Sequence, residues 1–165
     1  MTLNRIPPKF LADVMLGSLS RWLRLFGFDT LYRNDFKDRE LIKISLQEDR
    51  VLLTRDRVLA RCKILKKVLL ITAEDLKGQI KEVLLSIDHI TDFLQLPPRC
   101  PVCNGPTINI DKTEVIASVP DYIAISNDEF IKCSICQKIY WYGTHKQNID
   151  QTKLNILKSL KMVQE

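Results

Sequence analysis

Two cysteine pairs with identical spacing constrain the fold of this chain more than any other feature. Cys100 and Cys103 form the first pair, Cys133 and Cys136 form the second, and residues 104–132 separate them. Each pair can present two thiolates from one tight turn, and two such turns complete a tetrahedral Zn²⁺ site. Two disulfides are the alternative, which the otherwise cytosolic character of the chain disfavours. The pattern therefore predicts a structural zinc ribbon in the C-terminal third.

The length of the chain and its lack of long apolar stretches favour an intracellular protein with a small additional module. A chain of 165 residues suits one medium domain plus such a module. The first residues lack the apolar run of a signal peptide, and no apolar stretch approaches the roughly 18 residues of a membrane span. We expect a cytoplasmic protein without a membrane partner.

Short apolar runs alternate with helical patterns over the first two thirds of the chain. The third of these runs, at 50–54, is almost wholly apolar, which is typical of a strand buried on both faces. Alternation with helices at short intervals predicts a parallel sheet flanked by helices. The predicted strands are 9–13, 28–32, 50–54 and 68–71, and helices are predicted to start near Met15, Asp38 and Asp75.

Changes in composition divide the chain into three predicted parts. Residues 1–96 form the α/β domain, 97–148 the zinc ribbon and 149–165 a C-terminal amphipathic helix. Within the ribbon, 108–110 and 115–116 are predicted strands. Leucines recurring every third residue from Leu154 suggest that the last helix packs on a domain or on a protein partner.

Three aspartates occupy positions from which a metal site can be built. Asp13 follows the first predicted strand, Asp56 follows the third, and Asp38 heads the helix before the third. The carboxyl ends of parallel strands share one edge of a sheet, where ligands bind. Clustered carboxylates repel unless a cation neutralises them, and Mg²⁺ or Mn²⁺ prefers such oxygen ligands. The three acids are therefore candidate catalytic residues of a metal-dependent hydrolase.

Each aspartate also has an ordinary structural explanation. Asp38 can cap its helix, Asp13 can be a turn residue or an ion-pair partner, and Asp56 can pair with Arg55 or Arg57. Other chemistries find less support, since no phosphate-binding glycine loop is present and the two histidines suggest no nucleophilic arrangement.

Basic residues cluster around the proposed acids, although the net charge is only +5. Such clusters favour polyanionic partners, with solvated surface positions as the alternative. Basic residues at the rim of an acidic centre suit a nuclease. The candidate substrate-binding residues are Arg21, Arg24, Arg55, Arg57 and Arg61.

The ordered motifs resemble the Mut-seven C-terminal ribonuclease family over about residues 9–148. The matching segments are FLAD at 10–13, RWLR at 21–24, RVLLTRD at 50–56, RCPVCNG at 99–105 and YWYGTH at 140–145. The resemblance implies a PIN-like nuclease domain fused to a zinc ribbon, acting on RNA with Mg²⁺ or Mn²⁺ held by Asp13, Asp38 and Asp56. Independently of the resemblance, we expect a structural or RNA-facing role for Tyr140, Trp141 and His145, with core packing of the two aromatic residues as the alternative.

The chain departs from the PIN-like pattern at one position. Many such domains carry a fourth acid shortly after the equivalent of Asp56, where this chain has Arg57, Val58 and Leu59. Glu74 or Asp75 is a possible substitute. The functional alternatives are a DNA nuclease and a non-catalytic, ribosome-associated or RNA-binding adaptor that recognises its target through the zinc ribbon.

Overall fold

Two units, Met1–Pro97 and Pro98–Glu165, make up the chain in the computed structural model. Residues 5–93, 95–141, 151–155 and 158 are described. Most of the predicted C-terminal helix lies outside the described residues, as does His145. The three-part division therefore stays a prediction.

The first unit contains a four-stranded parallel sheet, which confirms the predicted fold class. The strand order is β2-β1-β3-β4, and every neighbouring pair is parallel. The central strands are apolar and buried because helices cover both faces, and Leu11 and Leu52 are fully inaccessible to solvent. The strands are β1 (Phe10–Ala12), β2 (Thr30–Tyr32), β3 (Val51–Thr54) and β4 (Val68–Leu70).

The helices of this unit begin where the sequence predicts, with one addition. The predicted helix near Met15 is a single 3-10 turn, Val14–Leu16, followed by a regular helix. A four-residue helix after β3 was not predicted. The helices are α1 (Gly17–Leu25), α2 (Asp38–Gln47), α3 (Arg57–Ala60) and α4 (Leu76–Leu85), and a second 3-10 turn spans Ile90–Phe93.

Gly27 ends the α1 segment in a conformation that suits glycine. Its φ is +95°, a region that other residues rarely adopt. A Cβ at this position would also lie 2.4 Å from the Cβ of Leu96. The chain reversal before β2 therefore requires a residue without a side chain.

Arg50 joins the amino ends of three strands through a nearly buried guanidinium group. Its Nη1 donates to Asp29 Oδ1 at 2.7 Å and to the Phe10 carbonyl at 3.1 Å, while Nε donates to Glu48 Oε2 at 2.7 Å. The Arg50 side chain is only 8% exposed and that of Asp29 is 22% exposed. Replacing one partner of such a desolvated ion pair destabilises the fold, because the remaining buried charge is left without a partner.

We expect Arg50→Met to lower the free energy of unfolding of the first unit by about 2–3 kcal/mol. Native-state hydrogen exchange of amides in β1 and β3 measures this opening free energy directly. Arg55→Met is the control, since Arg55 is exposed and makes no ion pair in the described part of the chain. If the β1 and β3 amides were equally protected from exchange in the two variants, the proposed role of Arg50 would be contradicted.

The second unit is built on a three-stranded antiparallel sheet with two short helices. The sheet order is β5-β6-β7, and both helices lie in the connection between β5 and β6. The elements are β5 (Thr107–Ile110), α5 (Lys112–Val115), α6 (Asp121–Ser126), β6 (Phe130–Cys133) and β7 (Ile139–Trp141).

The strand predicted at 115–116 is wrong, because Val115 ends helix α5. Asp111 caps that helix by accepting a hydrogen bond from the backbone N–H of Thr113 at 2.8 Å. Val115 is fully buried against Ile123 and Phe130. Of the two apolar residues that suggested a strand, Val115 is buried and Ile116 is exposed.

Every helix in the described parts of the chain is too short or too polar to cross a bilayer.

Candidate active site and metal centre

Asp13 lies directly after β1 at the carboxyl edge of the parallel sheet. Its side chain is buried, with 5% of the residue exposed. Oδ1 accepts a hydrogen bond from the backbone N–H of Val14, and Oδ2 accepts one from the Thr54 hydroxyl, both at 2.6 Å. Two neutral donors therefore hold this carboxylate in one orientation, and no ion pair with it occurs among the described residues.

Thr54 is a site residue that the sequence reasoning missed. It ends β3, is fully buried, and contacts both neighbouring aspartates. Its Oγ1 donates to Asp13 Oδ2 and accepts from the backbone N–H of Asp56 at 3.0 Å. A threonine at the end of an otherwise apolar strand, two residues before an acid, is the signal that indicates such a link.

Asp56 caps helix α3 and makes no ion pair with Arg55 or Arg57. Its Oδ1 accepts hydrogen bonds from the backbone N–H groups of Val58 at 2.6 Å and Leu59 at 3.1 Å. Helix capping uses one carboxylate oxygen and leaves Oδ2 available to a ligand.

Asp38 is the first residue of α2 but does not cap it. Lys37 occupies the N-cap position, and its backbone N–H donates to Glu40 Oε2 at 3.0 Å. Glu40 therefore has the capping role that the sequence left open for Asp38. The Asp38 side chain is exposed at the helix N-terminus.

The sheet topology brings the elements that carry the three acids to one edge. Asp13 follows β1 and Asp56 follows β3, and these two strands are hydrogen-bonded neighbours. From β1 the chain first adds β2 on one side and then adds β3 on the other, so the strand order changes direction between β1 and β3. Parallel sheets commonly bind ligands at such a point. Among the described residues, however, the group whose ligand atoms meet closely enough for one ion is the four cysteines. Joint metal binding by Asp13, Asp38 and Asp56 stays a prediction.

The possible replacements for a fourth acid have different environments. Asp75 caps α4 by accepting a hydrogen bond from the Gly78 N–H at 2.9 Å. Glu74 is exposed, and its backbone carbonyl accepts from the Gln79 side chain. Neither arrangement identifies a fourth ligand.

Four of the five predicted substrate-binding arginines lie on the surface. Arg24 differs, because it is only 4% exposed and its Nε donates to the Thr30 carbonyl at 2.8 Å. Its guanidinium group joins α1 to β2, so we exclude it from the proposed substrate-binding surface. The exposed residues, which make no ion pair in the described part of the chain, are Arg21, Arg55, Arg57 and Arg61.

The four paired cysteines converge in the second unit and are all free thiols. Their sulfur atoms lie within 4.8 Å of one another, with 3.6 Å between Cys100 and Cys136 and 3.4 Å between Cys103 and Cys133. A tetrahedral zinc site with Zn–S bonds of about 2.3 Å separates its sulfurs by roughly 3.8 Å. The four cysteines therefore fit a structural metal such as zinc, and none of them is joined in a disulfide in the structure.

The backbone around the cysteine cluster also fits thiolate ligands. The N–H groups of Ile135 and Cys136 point at Cys133 Sγ, both at 3.4 Å. A Cβ at Gly105 would lie 2.9 Å from the same sulfur. The turn thus surrounds the sulfur with donors and leaves no room for a side chain at position 105.

The cysteines titrate differently because they share one small cluster. Burial raises the pKa of the Cys100 thiol, but hydrogen bonds from the Tyr140 hydroxyl and from the backbone N–H groups of Cys103 and Val102 outweigh burial and lower that pKa to about 6. Burial raises the pKa of Cys103 to about 12, and the neighbouring Cys133 thiol adds to the rise. Burial and the contact with Cys100 hold the pKa of Tyr140 well above its usual range. A cation is needed to hold all four sulfurs as thiolates together.

Comparison with known proteins supports the resemblance seen in the motifs. No curated protein and no solved structure matches the chain. The family described as the Mut7-C RNAse domain matches residues 8–153, a range that includes the three candidate aspartates and the four paired cysteines. The chain therefore belongs to the Mut7-C RNAse domain family.

Proposed function

We propose that the protein is a Mg²⁺- or Mn²⁺-dependent ribonuclease that hydrolyses RNA phosphodiester bonds at the carboxyl edge of its parallel sheet. The observation that supports this most is the position of Asp13 and Asp56 after the two neighbouring strands where the sheet changes direction. Family membership points to the same reaction class. A non-catalytic adaptor does not need two oriented carboxylates at this edge.

The chain's own residues prepare this edge for a cation. Thr54 and the Val14 N–H hold the Asp13 carboxylate, and the α3 N–H groups hold one oxygen of Asp56. Asp38 supplies a third, exposed carboxylate at the start of α2. When bound, Mg²⁺ or Mn²⁺ activates water and stabilises the charge that develops at phosphorus. In this proposal the three acids would hold one ion firmly and a second only with substrate bound.

The zinc-binding unit has a structural or substrate-binding role in this proposal. A closed four-thiolate shell leaves no open coordination position for catalysis. The PIN-like character of the first unit, a cytoplasmic location and a protein partner for the C-terminal helix belong to the same proposal.

Arg57 lies beside the proposed catalytic acid Asp56, and we expect it to bind substrate phosphate. Each phosphate contact on a single strand contributes a slope of about −0.7 in log K against log salt. Arg57→Ala should weaken RNA binding across sequences and reduce the magnitude of the slope by about 0.7, as measured by fluorescence anisotropy over a salt series. The control is Lys67→Ala, at the amino end of β4, where Lys67 pairs with Asp49. A slope that Arg57→Ala leaves unchanged would contradict the contact.

A cleavage assay tests the proposed activity and separates it from its alternatives. Labelled RNA and DNA of one sequence are incubated with the zinc-loaded protein, with and without added Mg²⁺ or Mn²⁺. A ribonuclease cleaves RNA only when the ion is present. Cleavage of DNA alone indicates the DNA nuclease, and RNA binding without cleavage indicates the adaptor.

A further inference from the structure

Tyr140 reaches the cysteine cluster from the third strand of the ribbon sheet. It lies in β7 and is paired with Ile131 of β6, so its side chain lies on the same face as Ile131 and Cys133. From there its hydroxyl lies 3.0 Å from Cys100 Sγ, on the other cysteine pair. Cys100 is completely buried.

The direction of this hydrogen bond follows from the chemistry of a metal-bound thiolate. A coordinated cysteine has lost its proton and carries negative charge, so it can only accept. A phenol has one proton to donate. The contact in the metal-bound state is therefore O–H···S, with the charged sulfur as acceptor, which makes it a strong hydrogen bond.

The surroundings of Cys100 make this donor important. The backbone N–H groups of Val102 and Cys103 also donate to Cys100 Sγ, and the Cys103 contact is 3.5 Å long. Cys133 likewise accepts from two backbone N–H groups, those of Ile135 and Cys136, both at 3.4 Å. Tyr140 thus adds a side-chain donor to Cys100 Sγ, and its contact is shorter than that of the Cys103 N–H.

We propose that Tyr140 is a positioning residue of the zinc centre, whose hydroxyl stabilises the thiolate of Cys100 and slows release of the metal. Partners that hydrogen-bond to metal ligands typically change metal affinity by 10–100-fold. Because Tyr140 belongs to β7 and Cys100 to the first cysteine pair, the same bond ties the last strand of the ribbon to the metal. The inference rests on zinc binding by the four cysteines.

Tyr140→Phe tests the proposal by removing only the hydroxyl group. The full-length variant is expected to lose about tenfold or more in zinc affinity, measured by competition with a chromophoric chelator. In the cobalt-substituted protein, the sulfur-to-metal charge-transfer band should move to lower energy, because the thiolate loses a hydrogen bond. The matched control is Tyr122→Phe, since Tyr122 is 69% exposed on α6 in the same unit.

The outcomes separate this proposal from the zinc site on which it rests. Wild-type protein without zinc contradicts the metal site itself. Zinc-loaded wild type with an unchanged affinity and cobalt spectrum in Tyr140→Phe contradicts the role of Tyr140 alone. Replacement of Tyr140 by 3-fluorotyrosine keeps the hydroxyl and makes it a stronger donor, so zinc release should become slower. An unchanged release rate in that protein overturns the proposal even if Tyr140→Phe does not fold.

Discussion

Asp56→Asn is expected to reduce metal-dependent RNA cleavage by at least about 100-fold without destabilising the protein. A bound metal supplies several kcal/mol of transition-state stabilisation, and each 1.4 kcal/mol or so corresponds to a tenfold change in rate. Asparagine caps helices about as well as aspartate, so the bonds from the Val58 and Leu59 N–H groups to Oδ1 persist. The substitution therefore removes charge while it keeps the local structure. Single-turnover cleavage with saturating enzyme, together with thermal unfolding, measures both effects.

The chain provides a closely matched control for this substitution. Asp111 caps α5, a helix of four residues like α3, and accepts a hydrogen bond from the backbone N–H of Thr113. Asp111→Asn makes the same chemical change at the same structural position, in the other unit. We expect it to cleave RNA at the wild-type rate. If Asp56→Asn also does so, Asp56 is only a helix cap and the observed cleavage comes from elsewhere.

Zinc removal is expected to unfold the second unit while the parallel sheet of the first stays protected. The apolar cluster of this unit is small and includes Val115, Val119 and Phe130. Binding free energies of structural zinc sites are about 10–16 kcal/mol, which exceeds the stability that such a core provides. After chelation, hydrogen exchange should become fast in β5–β7 and remain slow in β1–β4, as followed by mass spectrometry.

The cysteines themselves provide the control for the zinc experiment. Cys133→Ser should reproduce the effect of chelation, because Cys133 is fully buried among the converging sulfurs. Cys62→Ser should not, since Cys62 packs on the apolar cluster of the first unit. Slow exchange in β5–β7 of the zinc-free protein would mean that the ribbon folds without metal.

The sequence predicted the features that are encoded locally. Four cysteines in two tight turns have few alternatives, so the predicted convergence of the four is confirmed. Strands such as β3 are recognisable because burial on both faces requires a continuous apolar run. The prediction of a strand at 115–116 was wrong because that apolar run has only two residues. Two adjacent apolar residues do not distinguish a strand from a short capped helix.

Strand order and side-chain contacts were not accessible to the same reasoning. Whether β1 and β3 are neighbours depends on packing between distant segments, and no local pattern reports it. The hydrogen bond from Thr54 to Asp13 depends on that pairing. Arg24 has the same charge as Arg21, and only the fold shows that one is buried and the other exposed.

Arg50 and Thr54 fix the pairing of β3 with β1, one at each end of the two strands. Arg50 joins β3 to the Phe10 carbonyl at one end of β1, and Thr54 joins β3 to Asp13 at the other. A slip of one strand by a single residue would break both links and reverse every side chain between them. The separation of the Asp13 and Asp56 backbones is therefore set at two fixed points rather than by the apolar side chains in between. Substitutions that alter the volume of those side chains should therefore shorten the lifetime of the folded protein at high temperature before they lower the rate of RNA cleavage.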